Sequence, residues 1–103
     1  MKVSPKKQLN NLIQGKHYLV IGIEADSYRI VDEVGEPYLY DSGAFKIIDP
    51  RESELWVSEI GEDGERYCYP KEWIKPGFFE DYFDNVPSAR EVFIKVLSRS
   101  YAL

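Results

Sequence analysis

The residues that most often carry catalysis or hold a metal are scarce in this sequence. It contains one histidine, His17, and one cysteine, Cys68. A Ser-His-Asp triad would require His17, and no serine lies in the sharp turn that exposes a catalytic nucleophile. A zinc site needs about four ligands at short spacing, and without a second histidine or a cysteine pair the sequence has no such set. The glycines are scattered and form no phosphate-binding loop. We therefore interpret both residues as structural and predict a protein that is not an enzyme and has neither a metal nor a cofactor.

The carboxylates are the remaining candidates, and their distribution along the chain is uneven. Residues 1–23 carry four lysines and no acid, and residues 24–84 carry 17 acids against 6 bases. Residues 85–103 carry three bases against one acid, which brings the net charge to −5. An acidic surface repels the phosphates of nucleic acid and attracts basic proteins. The pattern favours a basic protein partner over nucleic acid, although surface charge also serves solubility alone.

Seven acids within the acidic region are candidate partner-binding residues. They lie in a predicted hairpin turn and in the aromatic segment after it, which flank the same predicted strand. Tight interfaces commonly combine an aromatic centre with a charged rim, so we place Trp73 or Phe78 at the centre of this patch. The predicted binding residues are Glu62, Asp63, Glu65, Glu72, Trp73, Phe78, Glu80, Asp81 and Asp84. The alternative is that these acids only hydrate surface loops.

The segment 78–83, FFEDYF, interleaves aromatic and acidic residues. On one helical turn Phe79, Tyr82 and Phe83 share a side, and the acids face elsewhere. We expect the aromatic residues to close one end of the core and to leave the acids free for binding. The alternative is that the aromatic residues are themselves exposed in an interface.

Four tyrosines alternate along two predicted strands, with each pair on one sheet face. They are Tyr38, Tyr40, Tyr67 and Tyr69. Such pairs occur in the core and rim of small barrels, and also in the stacking platforms of proteins that bind single-stranded nucleic acid. The acidic surroundings disfavour the platform.

Six segments in the first two-thirds of the chain have the composition of β-strands. Turns rich in Gly, Asp and Pro separate them, among them Asp63-Gly64, a typical hairpin signal. The first segment is apolar on both faces, and Gly22 within it indicates a bulge or a close backbone approach. The predicted strands span residues 17–25, 27–32, 36–41, 44–49, 55–60 and 66–69.

The chain ends in a predicted helix over residues 87–99. Ser88 and Glu91 have the spacing of a capping box. An apolar stripe at helical spacing predicts that the helix packs on the core and is not a detachable tail. The stripe consists of Ala89, Val92, Phe93, Val96 and Leu97.

These elements predict a mainly β (α+β) fold. We expect a small antiparallel barrel or a strongly bent sheet of five to six strands, with one C-terminal helix. We assign residues 1–103 to a single domain. Within it, the barrel covers about residues 1–70, an aromatic segment wraps it over residues 71–86, and the helix follows.

No signal for a membrane or for secretion is present in the sequence. The longest apolar run covers residues 18–23, far short of the roughly 20 residues that a membrane span needs. The N-terminal lysines precede no apolar stretch, and a single cysteine forms no internal disulfide. We predict a cytoplasmic protein without membrane contact, and the sequence leaves its oligomeric state open.

Residues 15–49 resemble a recurrent pattern in small bacterial and phage barrels of the Src-homology-3 (SH3) type. The similarity lies in GKHYLVIGIE, YRIVDEVGEPYLY and AFKIID, which together cover about a third of the chain. The resemblance implies an SH3-like barrel. Some related small acidic proteins are immunity proteins encoded beside toxins, so it also implies a role in toxin inhibition. It implies no particular binding residue.

Three functions remain open on these grounds. The first is a protein-binding inhibitor, such as an immunity protein that neutralises a basic toxin or nuclease. The second is a nucleic-acid-binding or regulatory barrel, which the tyrosine pairs and the N-terminal lysines support. The third is a small ligand-binding protein that uses some of the carboxylates. The acidic middle of the chain favours the first.

Overall fold

The computed structural model describes residues 1–101. Within this range the chain forms eight strands and two α-helices, with a short 3-10 turn at Ser42–Ala44. The elements are β1 (Lys2–Pro5), β2 (Tyr18–Leu19), β3 (Gly22–Glu24), β4 (Ser27–Val31), β5 (Pro37–Asp41), β6 (Phe45–Asp49), β7 (Trp56–Ile60), β8 (Arg66–Pro70), α1 (Phe78–Phe83) and α2 (Pro87–Tyr101).

The strands form two antiparallel sheets. The small sheet has the order β2-β1-β6, and the large sheet has the order β5-β4-β3-β8-β7. The prediction of a mainly β fold with a C-terminal helix is confirmed. Of the two forms predicted, a barrel or a bent sheet, the barrel is not formed, because within the described chain the large sheet does not close and β5 and β7 remain as its edges. The predicted count of five to six strands is wrong.

The apolar segment 17–25 is not one strand, because the chain passes from one sheet to the other within it. The Val20 N–H bonds to the Met1 carbonyl, whereas the next N–H, that of Ile21, bonds to the Arg29 carbonyl. Val20 and Ile21 are each 1% exposed and belong to different hydrophobic clusters. The segment is therefore apolar on both faces because it crosses the interior. His17 precedes β2 and is exposed.

β1 is the element that the sequence patterns did not predict. It is the central strand of the small sheet and pairs with β2 and β6. Its four residues, KVSP, end in a proline, which cannot donate a ladder hydrogen bond. Both of its neighbours are distant in sequence, so no local hairpin signal marks it.

Two hydrophobic clusters lie on opposite faces of the large sheet, and the molecule therefore has three layers. The first cluster joins the two sheets and includes Val3, Ile30, Phe45 and Cys68. Cys68 is fully buried, in agreement with its interpretation as a structural residue. The second cluster joins the large sheet to both helices and includes Tyr69, Trp73, Phe79, Tyr82 and Phe93.

The C-terminal helix is part of the second cluster, as its apolar stripe predicted. Ala89, Phe93 and Val96 are buried, and Val92 and Leu97 pack against them. The Tyr101 hydroxyl accepts a hydrogen bond from Trp56 Nε1 (2.8 Å) and donates one to the Ile21 carbonyl (2.9 Å), so the last turn is tied to the sheet.

The start of α2 differs from the prediction. The helix begins at Pro87, and the Val86 carbonyl accepts a hydrogen bond from the Arg90 N–H. Ser88 therefore lies inside the first turn, and the predicted capping box is wrong. Proline at the first helical position is favoured because its φ suits the helix and its missing N–H is not needed there. No helix within residues 1–101 is long and apolar enough to cross a bilayer.

The packing of α2 gives a test on two adjacent residues. Phe93 is 2% exposed and Ile94 is 60% exposed. We expect Phe93→Ala to lower the free energy of unfolding by about 3–5 kcal/mol, because it leaves a cavity in the second cluster. Ile94→Ala should change it by about 0.5 kcal/mol or less. Urea unfolding followed by circular dichroism measures both, and equal losses would contradict the assigned orientation of the helix.

Candidate functional site

A cleft of about 800 Å³ opens on the face of the large sheet that carries the helices. Its floor consists of strand residues, and its wall consists of residues 73–77 and α1. The floor residues are Glu24, Arg29, Leu39, Glu59, Tyr67 and Tyr69. Five strands and one helix thus supply side chains to a single surface.

Strand register explains why these residues meet. Tyr67 of β8 lies opposite Glu24 of β3 on one side and opposite Glu59 of β7 on the other. Directly paired residues point to the same face of an antiparallel sheet, so the three side chains form one row across the cleft floor. The adjacent residue, Cys68, points to the opposite face and packs between the sheets.

A buried arginine network lies beside this row. Arg29 is 5% exposed, and its Nε donates to the Tyr69 hydroxyl (2.9 Å). Nη2 donates to Glu24 Oε2 (2.6 Å), and Nη1 donates to the Pro37 carbonyl (2.9 Å). The Tyr69 hydroxyl donates to the same Glu24 oxygen (2.6 Å). The guanidinium charge is therefore paired and bonded on all three nitrogens, which buried charge requires.

The network also attaches α1 to the sheet. The Phe79 ring lies 3.9 Å from Arg29 Cζ, and the rings of Tyr69 and Phe79 are 5.2 Å apart. A guanidinium over an aromatic face is a favourable cation–π contact. Burial strongly raises the pKa of Tyr69, and the nearby Arg29 opposes this only in part. Tyr69 therefore remains a neutral hydrogen-bonding phenol and supports the floor of the cleft.

Gly22 allows Tyr69 to occupy this position. A Cβ atom at residue 22 would lie 2.0 Å from the Tyr69 ring, which is impossible without displacement. The sequence predicted a bulge or a close backbone approach at Gly22, and the structure shows a close approach, made by the ring of Tyr69, which lies across β3.

The structure brings part of the predicted patch into the cleft. Phe78 is partly buried in its wall, and Glu80 and Asp84 are exposed there. Asp81 is exposed on the same short helix. Glu62 and Asp63 are exposed at the tip of the β7–β8 hairpin. Glu72 lies outside the cleft and forms an ion pair with Arg99, which lowers the pKa of its carboxyl.

Trp73 cannot be the centre of an exposed patch, and this part of the prediction is wrong. It is 1% exposed and stacks on Phe93 (4.8 Å) and on Tyr101 (5.9 Å). Its indole N–H has no acceptor within residues 1–101. The ring is buried because the segment 71–77 folds over the second cluster, and α2 encloses it from the other side.

Glu65 is held in a fixed position beside Tyr67. Its carboxylate accepts hydrogen bonds from the Asp63 N–H (2.9 Å) and from the Tyr67 hydroxyl (3.3 Å). Gly61 leaves room for it, since a Cβ there would lie 1.9 Å from Glu65 Oε1. Partial burial raises the pKa of Tyr67, and the charge of Glu65 raises it further.

Sequence reasoning missed Glu24 and Glu59 as site residues and considered Tyr67 only as a core or rim residue or as part of a stacking platform. The hairpin signal at Asp63-Gly64 already implies that residue 59 pairs with residue 67, so Glu59 could have been predicted from the sequence. Glu24 was not, because the pairing of β3 with β8 joins residues more than 40 positions apart.

The four tyrosines do not form one platform. Tyr38 stacks on Phe83 of α1 (5.1 Å), whereas Tyr40 packs against Phe45 and donates a hydrogen bond to the Asn10 carbonyl. Tyr38 and Tyr40 thus contact different layers, although the pattern placed them on one face. Tyr67 and Tyr69 both line the cleft.

Neither a protein-family profile, nor a curated protein, nor a solved structure matches this chain. Within residues 1–101, no group of three or more His, Cys, Asp or Glu side chains is arranged to hold a metal ion. The cleft is therefore interpreted from its own geometry and charge.

The contact between Gly22 and Tyr69 is testable with two glycine substitutions. We expect Gly22→Ala to lower the free energy of unfolding by about 2–4 kcal/mol, because the new methyl group displaces Tyr69 and disrupts its bonds to Arg29 and Glu24. At Gly43 the nearest atom to an added Cβ is 3.4 Å away, so Gly43→Ala is the matched control and should change stability by about 0.5 kcal/mol or less. Similar losses at both glycines would contradict the assigned contact.

The raised pKa of Tyr69 predicts a stability loss at alkaline pH. An unfolded tyrosine ionises near pH 10, whereas buried Tyr69 keeps its proton. The folded state then binds more protons than the unfolded state, so its contribution is fully present below about pH 10 and is lost as pH rises further. We measure the free energy of unfolding with urea at a series of pH values above about 10. It should fall less steeply with pH for Tyr69→Phe than for the parent protein. An unchanged slope would show that Tyr69 ionises normally in the folded state.

Proposed function

We propose that this chain is a non-catalytic protein-binding module that inhibits a basic protein, such as a toxin or a nuclease, in the manner of an immunity protein. The observation that carries the proposal is the composition of the cleft. Its apolar and aromatic surface lies beside Glu59, Glu80 and Asp84, and no ion pair within residues 1–101 engages these three carboxylates.

The charge balance in the cleft supports a basic partner. Arg29 is matched by Glu24, so Lys75 is the cation that remains among the lining residues against three carboxylates. Such a surface repels a phosphate backbone and accelerates the approach of a positively charged protein. A basic protein that docks here would supply the counter-charges that the fold itself does not provide.

The size of the surface is compatible with a specific interface. The protein exposes 6355 Å², and a standard interface buries about 800 Å² on each partner. The cleft alone is smaller than such an interface. The exposed acids of α1 and of the β7–β8 hairpin, whose strands supply the cleft floor, would form its polar rim, while Leu39 and Phe78 would form the desolvated centre.

The direct test is inhibition of a defined partner. The product of the gene adjacent to this one is expressed alone and together with the chain, and its toxicity or nuclease activity is measured. We expect the chain to abolish the activity and to form a stoichiometric complex on gel filtration. A chain that binds labelled single-stranded RNA but not the basic protein would contradict the proposal.

The rim acids give a kinetic prediction. Asp81→Lys together with Asp84→Lys should slow association with the basic partner by roughly tenfold at low salt, because rim charges act mainly on the rate of encounter. Melting temperature should change little, since both side chains are exposed. Stopped-flow mixing at about 50 mM salt, where surface charges are poorly screened, measures the effect.

The control for this pair is a second double reversal with the same change of net charge. Glu54→Lys together with Glu91→Lys alters two exposed acids that do not line the cleft. It should slow association much less. Equal rates for the parent and the Asp81/Asp84 variant, or equal slowing by both variants, would contradict a localised binding surface.

A further inference from the structure

We propose that Tyr67, with Glu24, Glu59 and Glu65 around it, forms a receptor for one arginine side chain of the partner. This inference rests on the proposed function and names the chemistry of its central contact. The four residues are called the Tyr67 receptor below.

Three glutamates are neighbours of Tyr67, two across the adjacent strands and one in contact with its hydroxyl. Glu24 and Glu59 lie opposite it on the two neighbouring strands, at the strand spacing of about 5 Å. Glu65 accepts the hydrogen bond of the Tyr67 hydroxyl and so lies at the far end of the ring. Glu24 and Glu59 line the cleft together with Tyr67, because residues paired across strands point the same way. Glu65 precedes β8 and is joined to Tyr67 by its hydrogen bond.

Two of these carboxylates are already fixed in place. Glu24 Oε2 accepts hydrogen bonds from Arg29 and Tyr69, and Oε1 forms no hydrogen bond within residues 1–101. Glu65 is held by the Asp63 N–H and the Tyr67 hydroxyl. A preorganised site loses little conformational entropy when a ligand binds. Glu59 is exposed and forms no ion pair within residues 1–101, so its side chain can turn towards a ligand.

Arginine fits this arrangement better than lysine does. A guanidinium is planar, stacks on an aromatic ring and offers a fork of N–H groups that matches a carboxylate. The ammonium group of lysine is a strongly hydrated point charge without that fork. The same combination already occurs inside the molecule, where the Arg29 guanidinium lies over Phe79 (3.9 Å) and is bonded to Glu24.

The probe for the Tyr67 receptor is N-acetyl-arginine methylamide, titrated into ¹⁵N-labelled protein and followed by NMR. We expect chemical-shift changes centred on residues 59, 65 and 67. The citrulline analogue has nearly the same shape without the charge and should bind at least about tenfold more weakly, since it forms no charge-assisted hydrogen bonds. The lysine analogue should also bind more weakly. Equal binding of the citrulline analogue, or shifts centred elsewhere, would overturn the proposal.

Two variants and a control test which residues contribute to arginine binding. Glu59→Gln removes one carboxylate charge, and Tyr67→Leu removes the ring while keeping an apolar side chain. Each should weaken arginine binding by about tenfold. Glu91→Gln makes the same charge change on α2, outside the cleft, and should leave binding unaltered. The amide spectrum of each variant reports whether the fold is intact. Weakening by Glu91→Gln equal to that by Glu59→Gln would show a diffuse charge effect and would overturn the receptor.

The same variants separate this inference from the proposed function. If the parent chain inhibits its partner and Glu59→Gln and Tyr67→Leu bind that partner normally, the receptor is wrong and the inhibitory function stands. If no basic partner is bound while the arginine titration behaves as expected, the proposed function is wrong and the receptor stands.

Discussion

The arrangement of the large sheet and the helices depends on the burial of one charged side chain, Arg29. Removing a guanidinium from water costs several kcal/mol unless the charge is paired and its N–H groups are bonded. The bonds come from Glu24 on β3, Tyr69 on β8 and the Pro37 carbonyl on β5. These partners lie on three different strands. The hydrogen bonds that compensate the burial of Arg29 therefore form only when the sheet has the observed register. A shift of β3 or β8 by one residue would turn Glu24 or Tyr69 to the other face and leave the buried charge without that partner.

This constraint extends from the sheet to the cleft. Tyr69 reaches Arg29 because Gly22 leaves space for its ring, and Phe79 covers the guanidinium from the side of α1. The position of α1 in turn sets where the exposed acids of that helix stand relative to the strands. A helix of six residues is too short to be stable by itself, so its packing on the sheet holds it in place. The wall of the cleft is thus positioned by the same charge that organises its floor.

Local patterns in the sequence predicted much of the fold but not its long-range pairings. The segments that became β4 to β8 and α2 were recognised to within a few residues, because alternation, turn residues and the helical stripe are local signals. The sequence could not distinguish a barrel from two separate sheets, because the segment 17–25 is equally apolar whether it is one buried strand or a crossing between two sheets. β1 was missed because its partners lie 13 or more residues away in sequence and its own four residues carry no alternation.

For the site, sequence reasoning located acids in the correct region but could not distinguish cleft from core. Trp73 and Phe78 are similar in sequence context and both belong to the cleft wall, yet the ring of Trp73 is buried between Phe93 and Tyr101, whereas Phe78 is only partly buried. That difference depends on where α2 packs, which composition does not specify. Glu24 lies in the site because β3 pairs with β8, which is another long-range contact.

The positions of the acids bear on why the fold tolerates them. Like charges held close together repel each other, and Glu59, Glu80 and Asp84 line one cleft without a neutralising ion pair within the described residues. Elsewhere in the chain, Glu33, Asp49 and Glu52 each have a cationic partner. Charges added for solubility alone need no aromatic surface beside them, whereas a binding site for a cationic protein needs both. In the proposed inhibitor, the repulsion within the free cleft is relieved when the partner supplies its positive charges. The repulsion among the cleft acids does not stabilise the fold, and its relief would contribute to the free energy of binding.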